Sequence, residues 1–283
     1  MTPGLATGIA PLLEDFSLEM TGKDVRRLEE ARDAIPPGTR VNVTFLEHED
    51  LRMRLAAART ARRLGPVPHI SARRLRSAAM LAEFLASLQA EGAAGNVFVV
   101  GGDPATPHGP YEDALAVIRS GLLPGYGVRH VSLSGYPEGH PAIADPVLWS
   151  ALQDKASALA ERGLPGSIVT QFGFAVDPVL TWIEAVRDRG IELPIRIGVP
   201  GPAGVRRLMS YAARFGVSTS AGIARKYGLS LASLAGTAGP DRFIRELAQG
   251  YDARRHGEVK LHFYAFGGLQ ATTEWIGAFR RAG

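Results

Sequence analysis

Eight short runs rich in β-branched and aromatic residues recur along this chain, each followed by a stretch with helical apolar spacing. No other feature limits the fold as much. The runs cover 16–20, 40–46, 67–71, 96–102, 129–136, 167–172, 194–199 and 259–266. Helical patterns follow over 23–34, 50–64, 73–91, 111–120, 146–162, 177–189, 205–215 and 242–253, and a last one spans 271–281. Strands joined through helices run parallel, because each helix carries the chain back to the end where the previous strand began. Eight such units close a barrel, and roughly 250 residues is the usual length for one. The spacing therefore predicts an α/β fold, a (β/α)8 TIM barrel forming a single domain over residues 1–283. Residues 1–14 read as an N-terminal extension, and 218–239, rich in Gly, Ala and Ser, as an elaborated segment between strands seven and eight.

Local chemistry marks several boundaries. Pro36-Pro37-Gly38 stops the first helix and turns the chain. Asp177-Pro178 reads as an N-cap followed by a proline in the first turn. Gly190 stands where a helix end favours a left-handed residue.

Composition removes several classes of function. Cysteine is absent, which excludes disulfides and thiolate metal sites and fits a cytoplasmic protein. No run of about 20 apolar residues is present, so no membrane span is expected, and the first 13 residues lack the basic start of a signal peptide. The net charge of +4 comes largely from arginines such as Arg52, Arg59, Arg62 and Arg63. No aromatic residues interleave with them, so a solvated helix face is the better reading and no nucleic acid partner is expected. The seven histidines show no metal spacing, and no metal is expected. No dinucleotide fingerprint, phosphate loop or nucleophile elbow occurs.

Active sites of such barrels lie at the carboxyl ends of the strands. Here those positions hold Glu19, Thr44, His69, Asp103, Tyr136, Gln171, Val199 and Tyr264, a largely polar set inside otherwise apolar segments. Glu19, late in the first strand, is expected to be desolvated and so raised in pKa, as suits a general acid; an ion pair is its alternative role. Asp103 follows Gly101-Gly102, where a ligand can lie against backbone and a carboxylate can accept from a heterocycle's N–H groups, although Gly-Gly-Asp-Pro is also good turn chemistry. Gln171 is a costly amide in an apolar strand unless something satisfies it.

Together these residues resemble the 5,10-methylenetetrahydrofolate reductase family. The resemblance rests on Ser17-Leu18-Glu19, Val43-Thr44, Pro68-His69, Gly102-Asp103-Pro104, Tyr136-Pro137-Glu138-Gly139-His140-Pro141, Thr170-Gln171-Phe172 and His262-Phe263-Tyr264, in order over most of the chain. It implies a barrel that binds FAD, with NAD(P)H as co-substrate, and that interconverts 5,10-methylene- and 5-methyltetrahydrofolate in one-carbon metabolism serving methionine biosynthesis. Glu19 would then be the acid that opens the methylene bridge, and Asp103 would anchor the pterin and tune the flavin. Gln171, Tyr211 and Tyr264 would bind substrate. Thr44, His69, Gly102, Tyr111, Tyr136, His140 and Lys155 would contact FAD. The chain departs from the pattern at Gly101, where many members carry Arg, at Ala151, where an Asn is common, and after Tyr264, where Ala265-Phe266-Gly267-Gly268 replaces a tail containing Asn-Arg. Two alternatives stand beside this reading: flavin-free hydride transfer to the same folate, and a non-catalytic folate-binding accessory subunit. Direction of reaction, choice between NADH and NADPH, and assembly into a homo-oligomer are left open by the sequence.

Overall fold

In the computed structural model, which describes residues 3–44, 50–214 and 237–282, the eight runs become eight parallel strands of a closed barrel. They are β1 (Ser17–Thr21), β2 (Arg40–Thr44), β3 (Gly65–Ser71), β4 (Asn96–Val100), β5 (His130–Gly135), β6 (Gly166–Phe172), β7 (Ile195–Pro200) and β8 (Val259–Tyr264). Each pairs with its neighbours in sequence, and β8 closes on β1 with Tyr264 opposite Glu19. A two-stranded antiparallel ribbon, Ala203–Gly204 with Thr237–Ala238, stands outside the barrel. Of the elaborated segment, 218–236 lies outside the described residues, as do residues 45 and 46 at the predicted end of strand two.

Side-chain parity sorts the strands into two faces. Leu18, Val41, Val43, Ile70, Val97, Val99, Leu133, Ile168, Ile197 and Phe263 are fully buried in the main core, against the helices. The opposite parity lines the barrel interior, where Val67, Phe98 and Val169 form a small apolar cluster of their own. The rest of that interior is polar: Ser17, Asn42, His69, Ser132, Ser167, Arg196 and His262 are all buried. Barrels usually fill this space with branched aliphatic side chains.

The barrel's N-terminal end is closed by charge. Asp15 Oδ2 accepts from Arg40 at 2.7 Å and from Arg196 at 2.5 Å, and Arg196 also donates to the Asp15 carbonyl at 2.6 Å. Within the N-terminal extension, helix Pro3–Leu13 buries Ile9, Leu12 and Leu13 in the main core and packs on β8 and on helix Asp241–Gly250.

Other boundaries also differ from the pattern reading. The helix predicted over 73–91 begins at Ala78, where Ser77 caps it by accepting from the Met80 amide at 3.1 Å. The one predicted from 111 begins at Ala114, with Asp113 accepting from the Ala116 amide at 2.8 Å. Asp177 is no N-cap: helix Val176–Asp188 starts one residue earlier and Asp177 makes no cap bond. Gly190 does turn left-handed, at φ 71°.

Candidate active site

The strand ends assemble a polar mouth around Glu19. Its carboxylate is mostly buried, with 17% of the side chain exposed, and its Oε2 faces His262 Nε2 at 3.5 Å. The other ring nitrogen of His262 lies 2.9 Å from Ser17 Oγ, so a chain Ser17–His262–Glu19 runs from the sealed interior to the mouth. His69 on β3 and Thr44 on β2 complete the surround.

Glu19 does not carry the raised pKa expected of it. Burial pushes the carboxyl up, but the hydrogen bond of His262, the positive charge available to His69 and His262, and the Thr44 hydroxyl outweigh burial, and the net direction is down. The polar interior behind the strand is the reason: an apolar barrel would have left only the desolvation. Glu19 therefore rests as a carboxylate. His69 goes the other way, since burial lowers it to about 4 against the pull of Glu19, and it is neutral near neutral pH.

Several buried polar atoms here lack a partner among the described residues: Asn42 Oδ1, His69 Nε2, Ser71 Oγ and His262 Nε2, the last reaching Glu19 only at the long 3.5 Å. Unsatisfied buried groups cost about 1–3 kcal/mol each, so a cluster at one end of a barrel marks the place where something else supplies hydrogen bonds.

Tyr264 stands beside Glu19. Its hydroxyl donates to the Thr170 carbonyl at 3.0 Å, and burial with the charge of Glu19 raises its pKa well above the ordinary value. Tyr136 is raised too, by burial first and by the charge of Asp103, against a hydrogen bond from Ser134. Tyr211 lies flat on Phe266 at 4.1 Å, and Phe266 and Tyr264 both pack on Phe172, so an aromatic wall flanks the mouth on the β8 side.

Gln171 sits at a register shift in β6. Its Oε1 accepts from the Phe172 amide at 3.1 Å, which answers part of the expected cost of the amide and leaves the NH2 as its remaining donor. Gly198 of β7 makes this bulge possible, because a Cβ there would run into the Thr170 carbonyl.

Asp103 stands on the rim. Its side chain is 90% exposed and pairs with Arg74 at 3.5 Å. Gly102, at φ 94°, lets the chain turn there, and a Cβ on it would collide with Ser71 Oγ. Arg73 staples the whole loop by donating to the carbonyls of Glu112 (2.7 Å) and Pro104 (3.1 Å).

The other predicted contacts scatter. His140 meets Tyr136 edge-on at 5.2 Å and accepts from the Ala142 amide. Tyr111 is taken up in the main core. Lys155 is buried in helix Asp145–Glu161, where desolvation lowers it to about 8 against the attraction of Asp113, and it makes no ion pair within 4.0 Å among the described residues. Val199 points into the main core. A cleft of about 470 Å³ opens beside the mouth, between the starts of helices Asp145–Glu161 and Val176–Asp188, and is lined by Tyr136, Trp149 and Trp182.

Sequence reading assigned no role to Ser17, Asn42, Ser71 or His262. The signal was present as parity: each stands two residues from a polar strand-end residue, on the same face.

Lys155, a buried lysine with no ion pair among the described residues, is the kind of group that a phosphate of a nucleotide cofactor such as FAD would satisfy. Among the described residues no group of three or more His, Cys, Asp or Glu is arranged to hold a metal, and no helix is long and apolar enough to cross a membrane.

No family model matches the chain. Among solved structures it is similar to an uncharacterized protein from Clostridium thermocellum that binds two copies of 5-methyl-5,6,7,8-tetrahydrofolic acid, with 9% identity, 99% of each chain covered and a TM-score of 0.59. It is also similar to dihydropteroate synthase from Thermus thermophilus, with 14% identity, 95% of this chain and 93% of that one covered and a TM-score of 0.45. At 9% identity the first of these likenesses speaks for the fold alone.

Proposed function

We propose that this barrel binds a reduced folate at its C-terminal mouth and interconverts 5,10-methylene- and 5-methyltetrahydrofolate by hydride transfer. The observation that carries the reading is the buried carboxylate of Glu19, ringed by polar atoms that lack partners. A pterin edge, with its alternating N–H groups and acceptors, is the kind of ligand that satisfies such a set. The Clostridium thermocellum neighbour, described as binding a methylated tetrahydrofolate, supports the choice of ligand.

In this reading Gln171 offers its NH2 to the heterocycle, and the wall formed by Tyr211, Phe266 and Tyr264 keeps water from one side of the reacting ring. Glu19 passes a proton to the nitrogen that leaves the methylene bridge, and its carboxylate then stabilises the cation that results. Asp103 adds negative charge from the rim, an effect that grows when a bound ligand removes it from water. FAD, held by Thr44, His69, Tyr136, His140 and Lys155, would supply the hydride, with NAD(P)H as the source of electrons.

The depressed carboxyl of Glu19 also favours a second reading, a folate-binding subunit without turnover, since a carboxylate binds cations better than it gives protons. One experiment separates the two. The absorbance of the purified protein should show a flavin band that NADH bleaches and 5,10-methylenetetrahydrofolate restores. Calorimetric binding of 5-methyltetrahydrofolate with no flavin band and no turnover with any hydride donor would leave only the second reading. Absence of binding would remove both.

A further inference from the structure

We infer that Tyr264 is a positioning residue: its hydroxyl pins the bulge of β6, and the pinned bulge holds Gln171 with only its NH2 toward the mouth. The site then favours a ring that presents a carbonyl there and rejects one that presents an amine. The identity of the ring rests on the folate reading; the pinned bulge does not.

The bulge leaves backbone groups that a regular ladder would pair. Val169 lies opposite Arg196 and Phe172 opposite Gly198, so β6 carries one residue more than β7 over this stretch. The Gly198 amide donates to Thr170 Oγ1 at 2.8 Å, in place of a carbonyl of β6. Thr170 is wholly buried, so its own carbonyl has no water to turn to, and Tyr264 supplies the missing donor at 3.0 Å. Strand β7 lies between β6 and β8, and the Tyr264 side chain therefore crosses it. The crossing is at the inner face of Gly198, since Ile197 and Val199 turn to the main core. A Cβ on Gly198 would stand 2.4 Å from the same Thr170 oxygen.

Chemistry fixes the direction of each bond. A carbonyl only accepts, so the Tyr264 hydroxyl donates to Thr170 and has no hydrogen left for a ligand. A backbone amide only donates, so the Phe172 N–H, 3.1 Å from Oε1, holds the oxygen end of the Gln171 carboxamide against the backbone. The other end is the NH2, which donates to nothing among the described residues. Gln171 is half-buried at the end of its strand, so this NH2 is what β6 offers at the mouth. A free glutamine can turn its amide over and read a donor or an acceptor. This one cannot do so without orphaning the Phe172 amide. In a reduced pterin the ring oxo group suits such a reader, and an amino group in that place sets donor against donor. Tyr264, expected to bind substrate, thus aims the residue that does.

The test compares two ligands and one stretch of backbone. In full-length protein, calorimetry should show 5-methyltetrahydrofolate bound at least about tenfold more tightly than its analogue with an amino group in place of the ring oxo group. Tyr264→Phe keeps its ring against Phe172 and Phe266 and loses only the hydroxyl; it should bring that preference to within about threefold. Gln171→Glu puts an acceptor where the donor was and should reverse the preference. Thr170→Ser, which keeps the hydroxyl, should retain it, and Thr170→Val should lose it. Amide exchange needs no ligand: peptides covering 166–173 and 195–201 should exchange roughly tenfold faster in Tyr264→Phe, and those of β1 to β4 at the wild-type rate. A folded Tyr264→Phe with wild-type preference and wild-type exchange would overturn the inference, as would wild-type protein that binds the two ligands equally. Should Tyr264→Phe not fold, unchanged preference in both Gln171→Glu and Thr170→Val overturns it as well. Faster exchange in Tyr264→Phe, with neither ligand bound by the wild type, would count against the proposed function and leave the pinned bulge standing.

Discussion

The two ends of the barrel treat charge in opposite ways. At the N-terminal end Asp15 is matched by Arg40 and Arg196, with Arg196 also satisfying the Asp15 carbonyl, so the buried cation there is fully engaged. At the C-terminal mouth His69, Ser71 and His262 are buried around the Glu19 carboxylate with their hydrogen bonding incomplete. The first arrangement has the form of a structural seal and the second that of a site awaiting a ligand. Stability should therefore be concentrated at one end and binding at the other, which makes the contrast open to attack from either side.

The largest effect belongs to the seal. Arg196→Ala removes a buried side chain with its two charge-assisted hydrogen bonds to Asp15 and leaves a void, and should cost about 3–5 kcal/mol of stability, read as a fall in the urea midpoint. An unchanged midpoint would mean that the floor is not sealed by charge.

Acid should act at the mouth next. The folded pKa of His69, about 4, lies below its ordinary 6.5, so between those values the unfolded chain binds the proton that the native state refuses. Stability is then complete above about pH 6.5 and falls as the pH drops toward 4, by about 3 kcal/mol from this residue. His130, lowered to about 4 by burial and by Arg40, adds in the same direction, and Glu19, held below its usual range, adds at still lower pH. Melting temperature measured against pH should show this slope, and His69→Gln should flatten it.

Gly102→Ala should cost about 1–3 kcal/mol, because the position is left-handed and the new Cβ meets Ser71 Oγ. Thermal melts measure it, and Ser71→Ala in the same chain should recover part of the loss by removing the clash.

The smallest effect is the most discriminating. Ser71→Ala alone should raise stability by about 0.5–1 kcal/mol, since it removes a buried hydroxyl without a partner, while weakening binding of 5-methyltetrahydrofolate. A variant that instead lost stability would show that the hydroxyl is satisfied within the fold, and the contrast between the two ends would weaken.

Much of the architecture was legible before any coordinates. Strand positions agree to within a few residues because β-branched runs flanked by glycine and proline are local signals, as with 167–172 against Gly166–Phe172. The strand-end polar residues were equally readable, since a polar side chain in an apolar run stands out wherever it falls. Less legible were helix starts such as Ala78, where the stretch from Arg73 keeps helical composition but is held by carbonyls of a distant loop.

By itself the sequence determined the period of the elements, their parallel order and the identity of the residues at the mouth, all of which follow from spacing along the chain. Only the tertiary structure decided what those residues are. Glu19 was expected to be pushed up by burial, and it is pulled down because β8 brings His262 across from a position 243 residues away in sequence. Asp103 was expected to serve within the pocket, and the turn at Gly102 leaves it on the rim against Arg74. A pKa is set by the charges and water within a few ångströms of a group, and in a closed barrel those neighbours come from strands that the chain order keeps far apart.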